Sequence, residues 1–220
     1  MPRFTEIIQD VRPAVVECPE RSIEEYGRRA VIELCRRSRF WRETIEVPLE
    51  HDQAEYDMPR IRPEGRVEQI LVAEFKTDPS GNGSGKERKL GVVQYREIRL
   101  PGKSHTRADP VNIGADYGLQ KFRVWPVPNV ETQLNPRIAL HVAAVPTQRA
   151  RNFPDPVYEQ WRDAITDGTL WHLLRMPNKP WTDIELSRYH RSEFYRQVND
   201  ATRAQMKDGA QGRTRLRRWV

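Results

Sequence analysis

Two stretches of sequence decide the predicted fold. The first is CPERSIEEYGRRAVIELCRRSRFWRET, residues 18–44, and the second is PDPVYEQWRDAITDGTLWHLLRMPNKPWTDIELSRYHRSEFYRQ, residues 154–197. Both segments repeat apolar residues at spacings of three and four, which predicts amphipathic helices. The apolar stripe of each helix has to be shielded from water, and we expect the two stripes to pack on each other. The two ends of the chain are therefore predicted to form one helical body.

The segment between the two helical regions is predicted to be β structure, because the hydrophobic period there changes from about 3.6 residues to two. Four stretches are rich in β-branched and aromatic residues and are bounded by Pro, Gly, Asn or Asp. These strand candidates are residues 66–76, 90–100, 119–126 and 137–145. Polar, glycine-containing stretches at 78–89 and 101–118 are predicted to be surface loops or hairpin connections.

The predicted fold class is α+β: a helical bundle formed by both chain ends, with an inserted antiparallel β domain. We expect residues 1–43 and 154–208 to form the bundle and residues 44–153 to form the β domain. Gly209 is predicted to end the last helix. Residues 209–220 then form a basic C-terminal tail.

The predicted core of the helical body contains two aromatic residues of the C-terminal segment. Trp161 and Phe194 lie on apolar stripes and are expected to be buried against residues 18–44. Leu186 and Tyr189 belong to the same predicted stripe as Phe194. The helix that starts at Asp155 is expected to break near Gly168.

The composition limits the classes of partner and compartment. The chain has 220 residues, with 37 Lys and Arg against 31 Asp and Glu, so its formal net charge is +6. This mild excess allows nucleic-acid contact without arguing for it. Two cysteines provide no disulfide framework, which favours a reducing compartment. No apolar run approaches the roughly 20 residues of a membrane span, so no membrane partner is expected.

The residue patterns of known catalytic and metal sites are not found. The five histidines are scattered without metal-ligand spacing. The sequence GNGSGK at residues 81–86 differs from a phosphate-binding loop in its glycine spacing and in the residue after the lysine. We therefore expect no catalytic, cofactor-binding or metal site and predict that the protein is not an enzyme.

Two arginine clusters stand out as candidate binding residues. The first is Arg36, Arg37 and Arg39, for which a solvated helix end is favoured over a binding role. The second lies in the tail and consists of Arg213, Arg215, Leu216, Arg217, Arg218 and Trp219. Arginines beside a tryptophan are typical of protein interfaces, although such a tail could also be disordered. A nucleic-acid-binding module that uses these arginine clusters is the alternative function.

Three parts of the chain resemble the head–tail adaptor (connector) proteins of tailed bacteriophages, particularly those of short-tailed type. These parts are residues 18–44, the motif QAEYDMP at 53–59, and residues 154–181. The resemblance implies a ring, usually of twelve copies, that lies below the portal and joins the DNA-filled head to the tail nozzle. It also implies a helical body with a β-rich insertion and no catalytic site.

This resemblance sets the expected partners and location. The expected partners are the portal protein, a tail nozzle or tail tube protein, and other copies of the chain in a dodecameric ring. Genomic double-stranded DNA is expected to pass through the channel without sequence readout. The expected location is the neck and tail region of the virion, after assembly in the cytoplasm of the bacterial host.

The tail is expected to dock into the portal. Adaptor relatives commonly reach the portal with a C-terminal extension, so the resemblance and the composition of the tail agree. Leu216 and Trp219 would fill apolar pockets of the portal. The four tail arginines would then pair with acidic rims around those pockets.

Overall fold

The computed structural model describes residues 2–62, 64–78, 85–98, 107–129 and 133–210, with side chains as far as residue 206. The chain divides into two compact units. The helical unit contains residues 2–41, 64–65 and 145–210, and the sheet unit contains the described parts of 42–62 and 66–144.

The helical unit contains four α-helices in its described residues. These are α1 Ile7–Val11, α2 Glu20–Ser38, α3 Asp155–Leu174 and α4 Ile184–Ala210. Short 3-10 turns precede and follow α1, at Phe4–Glu6 and Arg12–Ala14. None of the described helices is long and apolar enough to cross a lipid bilayer.

Helix α2 begins where its sequence indicates, directly after Pro19, but it ends at Ser38, before the predicted end of the helical segment. Arg39 caps it: its left-handed backbone (φ 53°) directs its N–H to the carbonyl of Cys35. A left-handed residue just after the last helical turn is a common way to end a helix. The residues on its buried side are Ile23, Gly27, Ala30, Val31, Ile32, Leu34, Cys35 and Ser38.

Helix α3 continues through the position where a break was predicted. Its only non-helical backbone angles among the described residues are at Trp161, seven residues before Gly168. Gly168 is needed for close packing: a Cβ there would lie 2.8 Å from the Phe194 ring and 2.9 Å from the Cβ of Ala30. The glycine therefore lets α2, α3 and α4 approach one another closely.

Helix α4 packs on α3 with only part of its predicted stripe. Phe194 is fully buried, as predicted, whereas Leu186 and Tyr189 are exposed. Trp161, expected in the same core, is only half-buried and lies edge-on to Phe40.

The first turn of α4 is capped by Asp183, whose carboxylate accepts the backbone N–H of Leu186 at 2.9 Å. The helix extends to Ala210, one residue beyond the predicted stop.

The sheet unit is built from nine strands in the described residues. They are β1 Arg42–Pro48, β2 Glu55–Asp57, β3 Gly65–Lys76, β4 Glu87–Gln94, β5 Arg107–Ala108, β6 Asn112–Asp116, β7 Lys121–Trp125, β8 Val127–Pro128 and β9 Arg137–Pro146. Seven of them form one sheet with the order β1-β9-β3-β4-β6-β7-β2, and β5 pairs with β8 separately. Its core side chains include Phe75, Ile113, Phe122, Ile138 and Leu140.

The large sheet is mixed, not antiparallel. β1 and β9 pair antiparallel, as do β3 and β4 on either side of the glycine-rich segment. β4 and β6, however, pair parallel, with Val93 opposite Gly114. Residues 95–111 connect them, which exceeds the dozen or so residues that a parallel connection requires. Strand β6 lies in the stretch that was predicted to be a surface loop.

The predicted fold class, a helical bundle with an inserted antiparallel β domain, is therefore wrong. A large seven-stranded mixed sheet takes the place of the antiparallel domain. The sheet unit is also not a simple insertion, because Glu64 and Gly65 belong to the helical unit while their flanking segments belong to the sheet unit. The hydrophobic period located β3 and β9 closely, missed β6, and carried no information about the relative direction of the strands.

Candidate interaction surface

Three helices of the helical unit bring together a surface cluster of arginines and aromatic rings. We call it the arginine–aromatic patch. Its members are Tyr26, Arg29, Arg37, Trp171, His172, Arg175, Arg191 and Tyr195. Helices α3 and α4 are joined here by the Ser187 hydroxyl, which donates to the carbonyl of Trp171 at 2.9 Å.

A stack of three rings forms the base of the patch. The His172 ring lies 4.3 Å from Trp171 and 5.7 Å from Tyr26, with interplanar angles of 24° and 26°. The guanidinium of Arg29 lies over the outer ring, 4.8 Å from the centroid of Tyr26. At the other end, the guanidinium of Arg175 lies 5.3 Å from the centroid of Trp171. Cations over aromatic faces are stabilised by the ring quadrupole.

Tyr195 of α4 extends the patch on its other side. Its ring lies 5.5 Å from Trp171, and its hydroxyl donates to the Glu33 carboxylate at 2.9 Å. Arg37 lies over this ring at 4.9 Å, and Arg191 lies near both Tyr195 and Trp171, at 5.9 and 5.7 Å. The rings therefore restrict the arginines to few rotamers, which lowers the entropy lost when they bind a partner.

The histidine of the stack is uncharged at neutral pH. Burial lowers the pKa of His172 to about 4, and the nearby Arg175 contributes in the same direction. Its Nδ1 atom is buried and has no hydrogen-bond partner among the described residues. The patch thus presents guanidinium groups over a neutral aromatic base, and it is suited to bind carboxylates or phosphates.

The comparison with known families identifies the type of protein. The family model for the SU10 adaptor protein matches residues 2–218. The chain belongs to this family. It is therefore a structural bacteriophage adaptor and virion component that interacts with other virion proteins, and its family is not an enzyme class. No curated protein matches the chain significantly.

The resemblance to head–tail adaptors that the helical segments indicated is thus confirmed. The residues predicted to dock the adaptor on the portal lie outside the described residues: Arg213, Arg215, Leu216, Arg217, Arg218 and Trp219. Of the other predicted cluster, Arg37 joins the patch and forms an ion pair with Glu33 at 3.0 Å. Arg36 lines a shallow depression on α2 with Ile32 and Gln148.

A second charge cluster of the adaptor lies in the sheet unit and is internally satisfied. The Glu55 carboxylate accepts hydrogen bonds from Tyr95, Lys121 and Arg123, at 2.7, 3.1 and 2.8 Å. These donors lower the pKa of Glu55 to about 2. Because each group already has a partner, we interpret this cluster as a brace between β2 and β7.

Other candidate chemistry in the adaptor is sparse. Cys18 and Cys35 are buried free thiols, and burial raises the pKa of Cys35 to about 12. The described part of the chain contains no group of three metal-ligating side chains.

The arginine–aromatic patch was missed by the sequence analysis. A local signal was present, since Trp171 precedes Arg175 by four residues and Arg191 precedes Tyr195 by four, the spacing of neighbours on a helix. That these two pairs meet depends on how α3 packs on α4, which the spacing does not indicate.

Proposed function

We propose that this adaptor forms a ring that joins the portal of the DNA-filled head to the tail and lets genomic DNA pass. The observation that carries this proposal is the match to an adaptor family over residues 2–218. We propose a dodecameric ring in the virion neck, with the portal above it and a tail nozzle or tail tube protein below it.

The surface charges of the helices suit contacts between copies of the chain. The outer faces of α2 and α4 alternate acidic and basic residues, as in Glu25–Arg29 and Glu193–Arg196. Complementary charges at such surfaces set the register and the partner more than they set affinity. Identical copies that meet through two different surfaces form a closed ring when the rotation between them closes.

Passage of DNA through a channel does not require residues that read bases. DNA that moves through a channel has to be tolerated at its phosphates and not recognised at its bases. The formal charge of +6 is compatible with such weak contact.

We propose that the C-terminal tail docks the adaptor on the portal. This segment carries four arginines and two large apolar residues, Leu216 and Trp219. Against a partner, the two apolar side chains can act as anchors while the arginines pair with carboxylates.

Deletion of residues 211–220 tests the ring and its docking. Purified DNA-free portal is mixed with the wild-type or the truncated adaptor, and the complexes are imaged by electron microscopy and weighed by mass photometry. We expect rings on the portal with the wild-type protein and at least about tenfold weaker docking after the deletion, equivalent to about 1.4 kcal/mol.

A matched variant separates anchoring from charge. Leu216→Ala with Trp219→Ala keeps all four tail arginines, so it should lose docking if the apolar anchors matter. If docking survives both this change and the deletion, the tail is not the anchor. If the wild-type protein forms no ring on the portal, the proposed function is wrong.

A further inference from the structure

The four arginines of the patch differ in whether they form an ion pair with a carboxylate. Arg29 and Arg37 are each held in an ion pair, with Glu25 and Glu33 respectively. Arg175 and Arg191 are exposed and form no ion pair with any residue that the structure describes. Both lie against Trp171, at 5.3 and 5.7 Å from its centroid.

The first half of α3 carries the opposite charge. Glu159 and Asp163 are exposed, and neither forms an ion pair within the described ranges. They lie two residues before and two residues after Trp161, the residue of α3 with non-helical backbone angles. The cation between them in sequence, Arg162, is engaged by Asp10 and by the ring of Tyr158.

Arg175 is too far along α3 from the acidic pair to form an ion pair with it in the same copy. Arg175 follows Asp163 by twelve residues and Glu159 by sixteen. At 1.5 Å per residue, the stretch of α3 from Asp163 to Arg175 spans about 18 Å. An ion pair requires an approach to about 4 Å.

We propose that Glu159 and Asp163 of one copy bind Arg175 and Arg191 of the next copy. The inference rests on the proposed ring and names the lateral contact within it. Because the acidic pair and the basic pair are different surfaces, the contact is head-to-tail, the kind that closes into a ring. The acidic pair of each copy is left free for the neighbour on its other side.

The composition of the patch favours a protein carboxylate over DNA. Glu25 and Glu33 lie beside the outer arginines, and their charges repel a phosphate backbone. Trp, Tyr and Arg are the residue types enriched at the centres of protein interfaces. Ile184, which is 48% exposed, lies two turns from Arg191 on the same face of α4 and adds apolar surface.

Charge reversal tests the contact directly. One variant carries Arg175→Glu with Arg191→Glu, and the other carries Glu159→Arg with Asp163→Arg. Assembly of each on DNA-free portal is followed by mass photometry, and circular dichroism checks that each variant is folded. We expect each variant alone to assemble at least about tenfold more weakly than the wild type, because like charges then face each other at every contact.

The mixture of the two variants is the decisive sample. If they alternate around the ring, every contact again joins acidic and basic residues, so assembly should return to near the wild-type level. A matched control for the arginine variant, Arg66→Glu with Arg88→Glu, makes the same change in net charge in the sheet unit and should assemble normally.

Three results would overturn the inference. If both variants assemble normally while the wild type forms rings, the ring stands and this lateral contact is wrong. If the arginine variant alone loses assembly and the mixture does not recover, the patch binds a different partner. If folded wild-type protein forms no ring, the proposed function and the inference are both wrong.

Discussion

At the scale of single residues, His172 links the arginine–aromatic patch to the stability of the helical unit. Its neutral ring lies between Trp171 and Tyr26. The charged groups that face it are Arg175 and Arg29, which disfavour its cationic form, and Glu33, which favours it. Protonation would place a cation in a buried stack that is already flanked by two guanidiniums.

We therefore predict that acid destabilises the protein through His172. Its pKa is about 4 in the folded chain against 6.5 for an unperturbed histidine, so between these pH values only the unfolded chain holds the proton. The free energy of unfolding should fall as pH is lowered from 6.5 to 4 and should not change above 6.5 through this group. The loss is on the order of 3 kcal/mol.

The measurement is urea denaturation at pH 7 and at pH 4.5 for the wild type, His172→Phe and His141→Gln. The phenylalanine keeps a ring in the stack but cannot be protonated, so its loss of stability with acid should be smaller by about 2–3 kcal/mol. His141 is half-exposed on β9 and serves as the control. Equal acid sensitivity in the wild type and His172→Phe would contradict the prediction.

At the scale of elements, the close approach of α2, α3 and α4 depends on Gly168. We predict that Gly168→Ala destabilises the protein by about 1–2 kcal/mol, since overpacking outweighs the better helix propensity of alanine. The new Cβ would meet the Phe194 ring and the Cβ of Ala30, neither of which is the end of a flexible side chain. Thermal and urea unfolding measure the change, and Ser192→Ala, at an exposed position of α4, is the control. If Gly168→Ala is as stable as the wild type, the helices shift to accept the new Cβ without cost, and the prediction is wrong.

The elements also show how far the sequence predicts the structure. The predicted strands 66–76 and 137–145 match β3 and β9 closely, because both are long and rich in β-branched residues. Strand β6 has the sequence NIGAD, which is short and contains a glycine and only one β-branched residue, and it pairs with both β4 and β7. Local pattern identifies strands that would be stable in many contexts, but not those that depend on their neighbours.

The candidate surface was predicted less well than the helices that carry it. The family resemblance predicted that the tail, where arginines are close together in sequence, is the binding segment. The patch joins Tyr26 of α2 to Trp171 and Tyr195, which are far away in sequence. Sequence periodicity does not show which residues of distant helices meet, so only the packed helices identify this patch.

At the scale of the whole molecule, charged residues make up 31% of the sequence. If contacts between copies depend on ion pairs at accessible surfaces, the assembly should weaken as salt screens them. We predict that raising NaCl from about 50 mM to about 500 mM lowers the affinity between copies at least about tenfold. Mass photometry measures it, with circular dichroism confirming that each subunit stays folded; assembly that strengthens with salt would indicate apolar contacts instead.

The packing of Ala30 against Gly168 and Phe194 also has a consequence for synthesis on the ribosome. Helix α2 is made early, but its partners follow about 140 residues later, roughly 7–28 s at 5–20 residues per second. During this interval only α1 and the turn before it, which are made earlier, can cover its apolar side, and the part that meets α3 and α4 has no native neighbour. A nascent chain that stops before α4 therefore cannot complete the helical unit.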